Sequence, residues 1–119
     1  MNFEKLTDAI AVLRAWEPPV SRGGEAMEFI ASARYAMPDC QAIILPKESL
    51  SEDFFRLSTG LAGEVLQKFV NYGMKVAIVG DFSHYTSKPL QDFIRESNRG
   101  KTVFFVETEA EALHKLKGE

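Results

Sequence analysis

Two adjacent hydroxyl side chains and a glycine stand before an amphipathic stretch in the sequence RLSTGLAGEVLQKFVNYG, which spans 56–73. Ser58, Thr59 and Gly60 directly precede the apolar residues of that stretch. The start of a helix offers unpaired backbone N–H groups and the positive end of the helix dipole, so it favours an anion. Three interpretations are open: the hydroxyls cap a helix, they help to seat a small anion, or a kinase phosphorylates them.

A second group of reactive side chains lies in the sequence GDFSHYTSKPLQDF, which begins with the last residue of an apolar run at 76–80. The candidate ligand or partner residues in it are Asp81, Ser83, His84, Tyr85, Ser87 and Lys88. A serine nucleophile needs a base within hydrogen-bond distance and an oxyanion hole, whereas the adjacent Ser83 and His84 point in different directions. No G-x-S-x-G elbow is present. The residues favour a turn in which Asp81 binds loop amides and Ser87 caps the next helix.

No metal or cofactor site is predicted. The two histidines, His84 and His114, and the single cysteine, Cys40, do not have the spacing of metal ligands. Neither a P-loop nor a dinucleotide-binding fingerprint follows any of the apolar runs. We therefore expect neither a metal nor a cofactor in this protein.

The strands that must position these groups are indicated by short apolar runs. Segments on either side of the turn-prone pair Thr7-Asp8 predict an N-terminal β-hairpin. Apolar runs without alternation at 41–46, 76–80 and 102–106 predict strands that are covered on both faces. The segment EPPVSRGG, which follows the hairpin, has the composition of an irregular loop and is predicted to be the most mobile part of the chain.

Four helices are predicted between and after these strands. The first spans 25–35, and the second begins near Leu61 and ends before Gly73, which is placed to be its C′ residue. The third begins near Pro89, a residue suited to a first turn, and ends at the sequence SNRG. A capping box at Thr108 opens the fourth helix.

Strands that alternate with helices predict an α/β fold with parallel crossovers, and the hairpin adds a strand at one side of the sheet. Ligands of such sheets collect beyond the carboxyl ends of the strands. This rule brings Lys47, which follows the first buried strand, close to the loop that begins at Asp81. It also places Glu107 and Thr108 at the same edge of the sheet.

Length and composition define the class of protein. The chain has 119 residues, a formal net charge of −3 and one cysteine, and we expect a single domain over 1–119. The negative charge argues against nucleic acid as the main partner, and the apolar runs are too short to span a bilayer. The lone cysteine and the absence of a signal peptide at the first residues favour a cytoplasmic location.

The order β-β-α-β-α-β-α-β-α, together with Ser58, Thr59, Gly60 and Leu61, resembles the STAS domains, the group that includes bacterial anti-sigma factor antagonists. That resemblance implies a STAS-like fold in which a partner kinase phosphorylates Ser58 and the domain acts by binding proteins without catalysis. From about Phe54 to Gly100, the sequence is also similar to an uncharacterised bacterial family, domain of unknown function 4180. That second resemblance implies no activity.

The expected function is that of a non-catalytic, cytoplasmic binding or regulatory module whose partner is another protein. Its predicted site joins Ser58, Thr59 and Gly60 to the loop from Asp81 to Lys88. The alternative is a small-molecule or anion-binding enzyme that uses the loop after 76–80. A third alternative is a structural subunit that forms a homodimer.

Overall fold

The computed structural model describes residues 1–118, which form a five-stranded sheet with helices on both faces. The strands lie side by side in chain order, and they are β1 (Asn2–Lys5), β2 (Ile10–Ala15), β3 (Ala42–Pro46), β4 (Lys75–Val79) and β5 (Val103–Val106). β1 and β2 are antiparallel, whereas all other neighbours are parallel. The predicted α/β fold, with its N-terminal hairpin and mainly parallel sheet, is confirmed.

Four α-helices cover the sheet, and they are α1 (Ala26–Ala36), α2 (Leu61–Asn71), α3 (Lys88–Arg99) and α4 (Glu109–Leu116). The first three connect neighbouring parallel strands and pack on one face, where they bury Phe29, Phe69 and Leu90. α4 packs on the opposite face through Ala112 and Leu116. Because each crossover of the same hand returns the chain to the next strand in order, the three connecting helices share one side of the sheet.

The central strands are buried on both faces, which explains their continuous apolar runs. In β3, Ile43 and Leu45 face the three connecting helices, while Ala42 and Ile44 face α4. Burial of apolar surface stabilises a fold by about 25 cal/mol per Å², so the two faces together supply the main driving force. No helix within residues 1–118 is long and apolar enough to cross a membrane.

The ends of the helices agree with the predicted punctuation. The Ser87 hydroxyl accepts a hydrogen bond from the amide of Leu90 at 3.4 Å, and the Thr108 hydroxyl accepts one from the amide of Glu111 at 3.1 Å. Gly73 adopts a φ of 64° just beyond α2, a conformation that glycine tolerates best. The sequence signals for these helix ends are therefore confirmed.

The segment EPPVSRGG differs from the irregular loop that was predicted. Val20 is buried and forms an isolated parallel bridge with Leu50. Its amide donates to the carbonyl of Ser49, and its carbonyl accepts from the amide of Ser51, both at 2.8 Å. A single apolar side chain in a polar stretch gave no periodic signal, yet its burial fixes this segment to the chain after β3.

The outer edge of β5 is closed by a side chain. Phe105 donates from its backbone N–H to Asn98 Oδ1 at 2.7 Å, and Asn98 Nδ2 donates to the carbonyl of Phe105 at 3.1 Å. Asn98 lies in α3, which packs against β5. The amide thereby satisfies two of the backbone groups that this edge strand would otherwise leave free.

Candidate functional site

The chain between β3 and α2 forms three short 3₁₀ turns, at Lys47–Ser49, Glu52–Phe55 and Leu57–Thr59. Phe54 and Phe55 are buried, and their rings make an edge-to-face contact with centroids 4.9 Å apart. These two side chains anchor the whole segment to the carboxyl end of the sheet. The segment therefore presents Ser58 on a turn that is held by core packing.

Ser58, Thr59 and Gly60 are all exposed at the start of α2. Gly60, with a φ of 79°, occupies the N-cap position, where no side chain caps the helix. The prediction that Ser58 or Thr59 is the N-cap is therefore wrong, because the left-handed turn at Gly60 moves the helix start one residue further along. The Thr59 hydroxyl instead lies 2.7 Å from the Asp53 carbonyl and accepts from the Leu61 amide at 3.2 Å.

Lys47 lies between aromatic rings at the carboxyl end of β3. Its ammonium group is 5.0 Å from the centroid of the Phe55 ring and 5.1 Å from that of Tyr85, distances typical of cation–π contacts. Its stem passes over Gly80, where a Cβ atom would lie only 2.6 Å from the Lys47 Cβ. Only glycine at position 80 leaves room for this arrangement.

A carboxylate completes the environment of Lys47. Glu52 lies 3.5 Å from the ammonium group and accepts hydrogen bonds from the Tyr85 hydroxyl at 2.8 and 3.0 Å. Burial acts to lower the pKa of Lys47, but the neighbouring Tyr85 and Glu52 outweigh it, so the pKa is raised. Burial, together with the bond to Glu52, also raises the pKa of Tyr85. Lys47 thus stays charged and is held in place, which is unlike a lysine nucleophile that must lose its proton.

Asp81, Ser83 and His84 form a local turn. Asp81 Oδ1 accepts a hydrogen bond from the Ser83 amide at 2.9 Å, and hydrogen bonding by Ser83 lowers the pKa of the Asp81 carboxyl. His84 is exposed, and its ring centroid is 4.2 Å from that of Tyr85. The Asp81 carboxylate thus holds Ser83 within the loop, and the His84 ring lies against Tyr85.

Ser87 and Lys88 stabilise the start of α3. Ser87 is its N-cap, and Lys88 pairs with Asp92 one turn later at 3.1 Å. Both side chains are therefore explained by helix formation. Tyr85 is held close by, because its carbonyl accepts a hydrogen bond from the side chain of Gln91.

The structure brings together some of the predicted residues and not others. Lys47 lies close to the loop that begins at Asp81, as the rule for carboxyl ends of parallel strands predicted, and its contact there is with Tyr85. The hydrogen bonds of Thr59 run to its own segment, so the helix start and the loop from Asp81 to Lys88 are joined through Glu52 and Phe55 instead. Sequence reasoning missed these two residues, although the pair of phenylalanines in SEDFF was a signal for an anchored turn.

The surface beside this cluster is a depression of about 360 Å³ lined by Glu52, Phe55, Arg56, His84, Tyr85, Thr86 and Ser87. Five of these seven residues are exposed. Within residues 1–118 no group of three or more His, Cys, Asp or Glu side chains is arranged to hold a metal ion. Cys40 is buried, and its burial raises the pKa of its thiol, which disfavours the reactive thiolate.

Comparison with known families finds a match over residues 5–116 to the family described as Domain of unknown function (DUF4180). This match includes β2 to β5 and all four helices. Comparison with curated proteins and with solved structures finds no match. Since the family model covers nearly the whole length of the sequence, the chain belongs to the DUF4180 family.

Proposed function

We propose that this protein is a non-catalytic binding module of the bacterial cytoplasm, and that phosphorylation of Ser58 switches its contact with another protein. One observation carries the proposal. Ser58 is exposed on an anchored turn directly before α2, and its hydroxyl makes no hydrogen bond within residues 1–118. A kinase needs such a hydroxyl, accessible and not engaged by the fold.

Phosphorylation would change the charge of this surface strongly. A phosphoserine carries a charge between about −1.5 and −2 at neutral pH. At the start of the 11-residue helix α2, the N–H groups and the helix dipole tolerate that charge. An acidic partner would be repelled, whereas a partner with an arginine cluster would be attracted. The modification therefore changes which protein is bound without requiring the fold to change.

Thr59 provides a matched control within the same turn. Its hydroxyl lies within hydrogen-bond distance of the carbonyls of Asp53 and Arg56, at 2.7 and 2.9 Å. Modification of Thr59 would break these contacts, while modification of Ser58 would not. We therefore expect phosphate on Ser58 and not on Thr59.

Mass spectrometry of the protein purified from its own cells tests this function. The expected result is a phosphate-sized mass increase that maps to Ser58, disappears in Ser58→Ala and persists in Thr59→Ala. An unmodified protein under all growth conditions, or phosphate on Thr59 alone, would contradict the proposed switch. Partner binding by Ser58→Asp and Ser58→Ala would then show whether the charge alters recognition.

The enzyme alternative has weaker support. Asp81 is engaged by Ser83, and Lys47 by Glu52 and two aromatic rings, so these polar groups do not converge on a substrate. The depression beside His84 lacks the deep, enclosed form typical of small-molecule sites. These contacts favour a surface that binds another protein.

A further inference from the structure

The amino ends of the parallel strands carry four lysines that make no ion pair with any carboxylate of residues 1–118. Lys75 is the first residue of β4, Lys101 precedes β5, and Lys115 and Lys117 lie at the end of α4. Of the other ten lysines and arginines, seven pair with carboxylates, and they are Lys5, Arg14, Lys47, Arg56, Lys88, Arg95 and Arg99. In a chain of net charge −3, these four unpaired lysines therefore form a distinct basic surface.

Two depressions lie within this basic surface, and Lys75 lines both of them. The first, of about 430 Å³, is also lined by Lys101, Lys115 and the ring of Phe104. The second, of about 260 Å³, is also lined by Lys117, Leu116 and Ile10. The three apolar residues are almost fully buried, so each depression has an apolar floor beneath a charged rim.

Local structure explains only part of this arrangement. Lys115 and Lys117 lie near the free carbonyls at the end of α4, where the helix dipole favours a cation. Lys75 begins β4 and Lys101 precedes β5, and neither has such a partner. Like charges around one pair of depressions repel each other, and an anion bound between them would remove that cost. The position of Lys75 between both depressions makes it the centre of the surface.

We propose that the basic surface of Lys75, Lys101, Lys115 and Lys117 binds an acidic segment of another protein. Carboxylates of that segment pair with the lysines, and its apolar side chains occupy the two depressions. Single-stranded nucleic acid is a weaker fit, because such sites combine basic groups with aromatic rings on which bases stack. The one aromatic ring here, Phe104, is buried.

This basic surface is separate from the proposed switch at Ser58. α2 begins after the carboxyl end of β3 and ends just before Lys75 at the amino end of β4. At 1.5 Å per residue, its 11 residues separate the two ends by roughly 16 Å. The inference about the lysines therefore stands or falls independently of the modification of Ser58.

Nuclear magnetic resonance on the ¹⁵N-labelled, unphosphorylated full chain tests the inference. The probe is a short synthetic peptide of repeating Glu-Glu-Leu, and an oligonucleotide of equal charge is the comparison. We expect the peptide to shift the amide signals of Lys75, Lys101, Phe104 and Leu116. This map of the wild-type protein needs no variant. Signals that shift mainly at another surface would overturn the proposal, as would tighter binding of the oligonucleotide.

A matched pair of double variants separates the basic surface from net charge. Lys75→Gln with Lys101→Gln is expected to weaken peptide binding about tenfold, because two charge pairs are lost. Arg22→Gln with Lys68→Gln removes the same charge from cations that also lack an ion pair within residues 1–118. It should leave binding within about twofold, because neither residue lines the two depressions and salt screens exposed charges. Equal weakening of peptide binding in both double variants would overturn the proposal.

Discussion

The lysines at the two ends of the parallel sheet lie in opposite environments. At the carboxyl end, Lys47 is held by Phe55, Tyr85 and Glu52, and only 15% of its side chain is exposed. At the amino end, the four lysines of the basic surface are exposed and unpaired within residues 1–118. Parallel sheets usually bind ligands at the carboxyl end. Here that end is occupied by the protein's own side chains, and the amino end is the open one.

The difference arises in the connections. The three 3₁₀ turns between β3 and α2 bring Glu52 and Phe55 to the carboxyl end of the sheet. At the amino end, the connections into β4 and β5 are only a few residues long, and Lys75 and Lys101 are both exposed. A lysine is packed against the core where a neighbouring segment supplies aromatic rings and a carboxylate. Where no segment supplies them, the lysine stays exposed and can bind a partner.

The largest expected effect comes from removing a ring at the carboxyl end. Phe55→Ala should lower the free energy of unfolding by about 3–5 kcal/mol, because it deletes a buried aromatic side chain and leaves a cavity. Urea denaturation measures the loss. Lys75→Ala, at the amino end, is the control and should stay within about 0.5 kcal/mol of the wild type. Similar losses in both variants would remove the contrast between the two ends.

A pair of glycines gives the next largest effect, with opposite signs. Gly80→Ala should destabilise by about 1–3 kcal/mol, because its Cβ would collide with the Lys47 stem. Gly63→Ala, within α2, places its Cβ in open space and should stabilise by about 0.5–1 kcal/mol through better helix propensity. Thermal unfolding of both variants checks the signs. A neutral Gly80→Ala would mean that Lys47 can move away freely.

Alkaline pH should lower the free energy of unfolding through two groups at the carboxyl end of the sheet, Lys47 and Tyr85. The folded protein holds the protons of Lys47 and Tyr85 more tightly than the unfolded chain, since both pKa values are raised. The contribution of these two groups to stability is complete below their pKa values in the unfolded chain, which are about 10. It declines as the pH rises through their higher pKa values in the folded protein. Urea midpoints measured from about pH 9 to about pH 11 should therefore fall, and the fall should be smaller in Tyr85→Phe. Tyr35→Phe, at a residue that is 93% exposed, is the control.

The smallest effect is expected from the basic surface in the absence of a partner. Lys75→Gln with Lys101→Gln should raise the free energy of unfolding by a few tenths of a kcal/mol, because repulsion among exposed like charges is weak but real. The gain should disappear near 1 M salt, where the Debye length is about 3 Å. A gain that persists in high salt would show that repulsion is not its cause.

Much of the fold was accessible from the sequence, because burial on both faces of the sheet imposes apolar runs and helix ends use recognisable residues. Gly73, Ser87 and Thr108 all mark helix ends as predicted. The closeness of Lys47 to the loop from Asp81 to Lys88 followed from the rule for parallel strands alone. These features depend on local chain geometry or on strand order, and both leave a pattern in the sequence.

The rest depended on tertiary contacts without a periodic pattern. Short 3₁₀ turns have no extended repeat, so the roles of Glu52 and Phe55 were not predicted. The αL conformation of Gly60 displaced the expected cap from Ser58 or Thr59. The basic surface was missed because its lysines are far apart along the chain and meet only through the order of strands. Whether Ser58 is modified depends on an encounter with another protein, which no contact within this chain reports.

The hydrogen bonds of Asn98 to Phe105 make the two edges of the sheet unequal as places where a further strand could pair. The side-chain amide uses two of the backbone groups that an incoming sixth strand would need. To extend the sheet beyond β5, another chain would have to displace this amide from both bonds at once. Strand-to-strand assembly, including fibrillar stacking of identical copies, is therefore hindered at β5, and the other edge of the sheet is the short charged strand β1.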